Sequence, residues 1–424
     1  MRCSICTVMS AVAVCTAVSI ASAQSFTPRT VQFKGVPEYT SQELLAAARI
    51  RAGEPLDGAK IAACGQRLLN TGVFATVSYK FNNQEVIFEL SPATDLLPVH
   101  LDNLPLTPGS ELTDKLHARL PLFHGKVPPE GELNDEVTKA LKEILAEQGL
   151  IAVVQATASG SQSTGAFVTY SIVTPPVTVG DIRLSDESAK LDPAAQEITE
   201  KLMGSSYQVE GSPSQISTYL SNYYRDKGYI EADVDVLPHG VATAAPDSIR
   251  VPFTITVKPG ILYKLASVKL APDLLVSQAD FDQQSQIHSG DIARYQRLIE
   301  NWELIARQYH DHGYMKASIH PEPTFDRDKA TVSYYVTAEP GPVYTMGKLT
   351  IENFSGEVRD AILSAWKMPE GATFNEGAIR GFLASPDMNP AVQRVLARVR
   401  ISYKLTLRDG DRSVDVALKL EQKP

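Results

Sequence analysis

Between residues 177 and 260 the spacing of apolar positions changes character from segment to segment. "VTVGDIRL" alternates as a half-buried strand does. "AAQEITEKLM" reads as a short helix that stops before Gly204. In "SPSQISTYLSNYYRDKG" the residues Ile216, Leu220, Tyr223 and Tyr224 fall at i, i+4, i+7 and i+8, one face of a second helix. Ser212-Pro213 supplies an N-cap followed by proline in the first turn, and Gly228 supplies the stop. "YIEADVDVLP" then sets Ile230, Ala232, Val234 and Val236 against Glu231, Asp233 and Asp235, which predicts a strand over 230–237 with one buried and one wet face. "SIRVPFTITVKPG" closes the unit as another strand, so the predicted order is β-α-α-β-β.

The same order recurs along the chain. The second helix ends on Gly72, Gly149, Gly228 and Gly313, which lie 77 to 85 residues apart. An earlier joint is marked by Gly53, Gly125, Gly204, Gly290 and Gly371 at a similar period. "PPVTVGDIRL", "PGILYKLASVKL" and "PGPVYTMGKLTI" open the later units. Three independent markers on one period imply five repeats. The fifth diverges: "PAVQRVLARVRISYKL" has no Gly-Tyr, although "LRDGDRSVDVALKL" supplies a hairpin turn at Asp409-Gly410. "YYRDKGYIEADV" and "QYHDHGYMKASI" place Tyr224, Gly228 and Tyr229 in register with Tyr309, Gly313 and Tyr314. This is a structural joint built twice: the two glycines stop helices, Tyr224 and Tyr309 lie on those helices with a polar tip that can stay wet, and Tyr229 and Tyr314 begin the next strand.

A unit of about 80 residues with "YxxxGYxxA" after its second helix and a "PG…Y" link into the next resembles the POTRA (polypeptide-transport-associated) domain, which forms the periplasmic arm of the BamA/TamA family of outer-membrane assembly proteins. The resemblance covers nearly all of the chain after its first 23 residues. It implies an α+β fold, a tandem array of five small domains, at 28–92, 97–175, 177–259, 261–340 and 342–422. No series of ~10-residue lipid-facing strands follows the last hairpin, so the expectation is an arm without the β-barrel. The resemblance also implies that the strand after the second helix lies at the sheet edge.

The ends and the composition narrow the function. Arg2, an apolar run to Ile20 and Ala21-Ser22-Ala23 read as a signal peptide over 1–23, cleaved after Ala23, so the chain is expected to be exported to the periplasm, where it could attach peripherally to the outer membrane. No later segment approaches the ~18 apolar residues of a membrane-spanning helix. Three of the four cysteines leave with the signal, and Cys64, alone in "KIAACGQRLL", reads as core. The formal charge is −9 without any Lys/Arg run, which argues against nucleic acid as a partner.

"HDHGY" sets His310 and His312 two apart, on different helix faces, where the third repeat has Arg225 and Lys227, so both histidines read as solvated surface. No metalloprotease, nucleophile-elbow or phosphate-loop motif occurs, and "DRDKA" at Asp326 is a turn between strands. The expectation is a protein without enzymatic activity, cofactor, metal or small-molecule substrate. It would hold extended clients, or a separate β-barrel partner, by β-augmentation: an unpaired strand edge offers N–H and C=O groups to an incoming chain. The candidate edge carries Glu231, Asp233, Asp235 and Val236. Unfolded outer-membrane proteins and other envelope assembly proteins are the expected partners. The alternatives are a structural scaffold for a fixed envelope complex and an exported enzyme with a site between domains.

Overall fold

The computed structural model of the chain describes residues 25–51, 53–106, 110–161, 165–353, 356–384 and 399–422. The expected signal peptide and its cleavage site lie outside these residues. By internal contacts the chain divides into two compact units, one of Met1–Arg183, Thr199–Gln215 and Leu237–Thr254, the other of Leu184–Ile198, Ile216–Val236 and Ile255–Pro424.

Among the described residues five small sheets follow one another along the chain, in agreement with the expected α+β class. The first repeat runs β1 (Thr30–Lys34), α1 (Ser41–Ala48), α2 (Gly58–Asn70), β2 (Phe74–Phe81) and β3 (Glu85–Pro92). The second runs β4 (Leu97–Leu101), α3 (Ser110–Arg119), β5 (Lys126–Val127), α4 (Glu132–Glu147), β6 (Val153–Ser161) and β7 (Gly165–Thr174). The third runs β8 (Val177–Leu184), α5 (Pro193–Leu202), α6 (Gly211–Asp226), β9 (Asp233–Pro238), β10 (Thr243–Ala244) and β11 (Ile249–Lys258). The fourth runs β12 (Lys264–Leu270), α7 (Gln278–Gln284), α8 (Tyr295–His310), β13 (Ser318–Asp326) and β14 (Thr331–Glu339). The fifth runs β15 (Thr345–Glu352), α9 (Gly356–Ala365), α10 (Glu376–Ala384), β16 (Val399–Arg408) and β17 (Ser413–Gln422).

The last strand of each repeat is central. It pairs with the first strand and, antiparallel, with the strand after the second helix: β1-β3-β2, β12-β14-β13 and β15-β17-β16, with β5-β4-β7-β6 and β10-β11-β8 as the four-stranded variants and β9 also on β11. First and last strands run parallel, Thr30 opposite Glu85 through Lys34 opposite Glu89, because the two helices carry the chain back across one face. Alternation then sends one side of each central strand into the core. In the fourth repeat Val332, Tyr334 and Val336 meet Leu298, Trp302 and Ile305 of α8, all buried.

The repeated "YxxxGY" motif has a local explanation. Gly228 (φ +97°) and Gly313 (φ +86°) are left-handed. The amide of Gly228 donates to the Arg225 carbonyl (3.0 Å) and that of Tyr229 to Tyr224 (3.1 Å). Gly313 to His310 (3.1 Å) and Tyr314 to Tyr309 (3.0 Å) repeat the pattern. This is the Schellman helix stop, and the flanking tyrosines are its apolar contact, Tyr224 on Tyr229 at 6.2 Å and Tyr309 on Tyr314 at 6.0 Å. Gly72 and Gly149 are left-handed too (φ +76° and +78°), and Gly149 closes α4 by the same pair of bonds.

Three expectations are corrected here. Tyr229 and Tyr314 do not begin strands. After the helix stop the chain makes one further turn, in which Ala232 donates to Tyr229 (2.9 Å) and Ala317 to Tyr314 (3.1 Å), so β9 starts at Asp233 rather than Ile230 and Glu231 lies in the turn. The Tyr224 hydroxyl does not stay wet; it is buried without a partner. α6 begins at Gly211, ahead of Ser212, whose hydroxyl reaches back to accept from the Gln208 amide (2.9 Å).

A candidate polypeptide-binding edge

Each sheet has two edges, and the fold treats them differently. In the third, fourth and fifth repeats the outer side of the start of the first strand is paired with the chain that follows the first helix. Gly204, Gly290 and Gly371, with φ of +82°, +95° and +84°, turn that chain against the strand. In the third repeat Val179 receives a bond from Gly204 (2.8 Å) and donates to Ser205 (2.9 Å), and Tyr207 donates to Val177 (3.0 Å). Leu265 with Gly290 and Asp291, and Met346 with Gly371 and Ala372, repeat the arrangement at 2.7–2.8 Å. Gly204, Gly290 and Gly371 of the second glycine ladder are thus the turns that pair the start of one edge.

The strand after the second helix has no such cover among the described pairings: β2, β6, β13 and β16 each pair only inward, and β9 only with β11. On β9, Asp233 and Asp235 are exposed and Val234 and Val236 buried. His239, just past the strand, donates to Pro252 on β11 (2.8 Å). Residues of its parity therefore face β11, and the backbone groups of Val234 and Val236 face away. One outward acceptor is already engaged: the Ser217 hydroxyl on α6 donates to the Val234 carbonyl (2.8 Å). The N–H and C=O of Val236 are then the next outward pair of this strand.

The fourth repeat has the same edge in a blunted form. Ala271 donates to Val336 on β14 (2.9 Å), so the backbone of Val336 faces β12. Pro321 stands opposite Val336 and Pro323 opposite Tyr334, which places both prolines at outward positions of β13. Without N–H groups they remove two successive donors from that edge.

Glu231, expected on the edge, closes a joint instead. Its carboxylate accepts from the Tyr263 hydroxyl and pairs with Arg327 Nη2 at 2.6 Å. Arg327 lies in the β13–β14 turn of the next repeat. One joint later the positions recur with opposite charge. Lys316, three residues past Gly313 as Glu231 is past Gly228, pairs at 2.7 Å with Asp409 in the β16–β17 turn, and Tyr344 donates to the same carboxylate at 2.6 Å. The Arg327 guanidinium and then the Tyr263 hydroxyl hold Glu231 below the usual carboxylate range, and Lys316 and then Tyr344 do so for Asp409. A lowered folded-state pKa contributes stability above the unfolded pKa that is lost as pH falls through the folded one. Both clasps are therefore expected to loosen in acid. Glu231→Lys should speed hydrogen exchange at the Tyr263 amide by a few-fold, and Glu231→Lys with Arg327→Glu should restore it. Equal exchange in the single and double variants would show that the pair does not couple.

His310 is also corrected. It is half-buried, with Nδ1 3.1 Å from Glu376 Oε2 on α10, because the α8 end faces the next repeat; His312 stays exposed. Cys64 is buried, as expected. Among the described residues one group has the spacing of metal ligands: Glu43, His117 and His124, which lie 74 and 81 positions apart and share no sequence motif. No helix among the described residues is long and apolar enough to cross a membrane.

Residues 263–341 match the sequence model of the POTRA family, described as a surface antigen variable number repeat. Among solved structures the chain is similar to POTRA3-5 of BamA from Haemophilus influenzae (18% identity, TM-score 0.41), over 58% of this chain and 96% of that one. It is also similar to POTRA1-3 of the periplasmic domain of Omp85 from Anabaena (14%, 0.24), over 59% and 96%. The N-terminal domain of Omp85 from Thermosynechococcus elongatus matches at 15% and 0.22, over 59% and 99%. The likeness to the POTRA family model therefore falls on residues 263–341, the fourth β-α-α-β-β repeat of a tandem α+β chain.

Proposed function

We propose that the chain is a non-catalytic periplasmic scaffold that binds extended polypeptide during outer-membrane protein assembly or transport. In this reading its domains are 28–92, 97–175, 177–259, 261–340 and 342–422, exported by a signal peptide over 1–23. The carrying observation is the asymmetry of the edges: the first-strand edge is paired at its start by its own chain, and the other edge has no such cover among the described pairings. Backbone pairing is largely independent of client sequence, which suits unfolded outer-membrane proteins or the strand of a barrel partner. Asp233, Asp235 and Val236 remain the candidate contact residues, with Glu231 moved to the joint.

Photocrosslinking tests this directly. A photoreactive side chain at Asp235 on β9 should capture an unfolded outer-membrane protein, and one at exposed Glu322 on β13 should capture less. Equal yields at the two positions, or none at either, would rule out edge pairing as the mode of binding.

A further inference from the structure

The Glu43–His117–His124 cluster is built from two successive repeats. Glu43 lies in the first turn of α1, where its Oε2 is fixed by a capping box: it accepts from the Thr40 amide (2.5 Å) and hydroxyl (2.9 Å). That leaves Oε1 to face His117, in the last turn of α3, and His124, just beyond that helix. Oε1 is 3.1 Å from His117 Nε2 and 3.2 Å from His124 Nε2. The His124 ring is supported by Tyr39, whose ring lies 4.7 Å away.

The contacts of each ring nitrogen narrow what the cluster can hold. His117 Nδ1 lies 3.2 Å from the Phe123 carbonyl oxygen. A carbonyl only accepts, so Nδ1 carries the hydrogen. A neutral ring then presents a bare lone pair at Nε2, and that lone pair faces a carboxylate oxygen that also has no hydrogen. Two acceptors at 3.1 Å repel unless a proton on the ring or a metal cation lies between them. A histidine whose outer nitrogen donates to a carbonyl while its inner nitrogen faces a carboxylate has the posture of a metal ligand held from behind. Ligand atoms bound tetrahedrally at about 2.0–2.1 Å stand roughly 3.3 Å apart, and the two distances to Oε1 are close to this. The rings are 39% and 38% exposed, which leaves an approach for the ion and a place for water as a fourth ligand.

We propose that Glu43, His117 and His124 bind one divalent transition-metal ion of the zinc type, and that the ion fastens the first repeat to the second. Two imidazoles and one carboxylate suit zinc among such ions. Bound there, the ion would tie the start of α1 to the exit of α3 and limit movement at that joint.

Calorimetric titration of the untagged, chelator-stripped full chain with Zn²⁺ at neutral pH tests the site. The expected result is one Zn²⁺ per chain, with binding weakened tenfold or more by His117→Gln and by His124→Gln. Glu43→Gln keeps the capping box, since glutamine serves at that position, and should weaken binding without loss of helix. His310→Gln should change nothing. X-ray absorption should report nitrogen and oxygen neighbours at about 2.0–2.1 Å. The absence of saturable binding would overturn the proposal, as would binding that survives loss of both histidines. So would fully protonated rings at His117 and His124 in the presence of excess Zn²⁺, since the carboxylate is then answered by imidazolium alone.

Discussion

Gly228→Val and Gly313→Val should each destabilise their joint by about 2–4 kcal/mol, and Gly149→Val by only about 1–2 kcal/mol. All three glycines have positive φ, which a β-branched residue adopts only with strain. The difference lies in what surrounds them. A Cβ at Gly228 would sit 2.4 Å from Ile292 Cγ2 and 3.0 Å from Leu262 Cδ1, and one at Gly313 would sit 2.9 Å from the Tyr344 carbonyl oxygen. At Gly149 nothing lies within 4 Å. The carbonyls of Gly228 and Gly313 also accept from Tyr263 (2.9 Å) and Tyr344 (2.8 Å), the residues that open the next repeat. Hydrogen exchange at those two amides reads the joint specifically. Equal losses at all three glycines would mean that backbone strain alone decides, and that close packing of the helix stop on the next repeat contributes nothing.

Val236→Pro should lower client capture at Asp235 about tenfold, the worth of one hydrogen bond together with the clash of a ring at the edge. The substitution removes an outward N–H and leaves the ladder to β11 intact, because Val236 faces away from that strand. The fourth repeat already has the arrangement: Pro321 holds the corresponding place in β13. The reciprocal change, Pro321→Val with Pro323→Val, should raise capture at Glu322 by restoring two donors. Circular dichroism and exchange protection of β11 establish that the variants remain folded. If Val236→Pro leaves capture unchanged, clients do not pair with this edge.

Much of this architecture was legible in the residues. The run "VTVGDIRL" coincides with β8, and both glycine ladders occupy left-handed positions. The errors cluster where a local turn or a tertiary contact overrides the alternating pattern. The alternation of Ile230 through Val236 continues backwards through a turn, so it cannot locate where β9 begins; the bond from Ala232 to Tyr229 decides that. Glu231 fits the wet face of a strand equally well, and its recruitment by Arg327 is set 96 residues away. The capping box Thr40–Glu43 is readable locally. That its free oxygen meets two histidines of the following repeat is not, because only the packing of α1 beside the α3 exit brings them together.

The opposite polarity of the two clasps gives the order of repeats a chemical address. Were the fourth repeat duplicated in tandem, Lys316 of one copy would meet Arg327 of the next. Were it deleted, Glu231 would meet Asp409. Each error of recombination sets like charges beside a tyrosine hydroxyl that can satisfy only one of them, while the native succession alone matches acid to base at both places. At these two joints the charges favour the native order of the third, fourth and fifth repeats over its duplication or deletion.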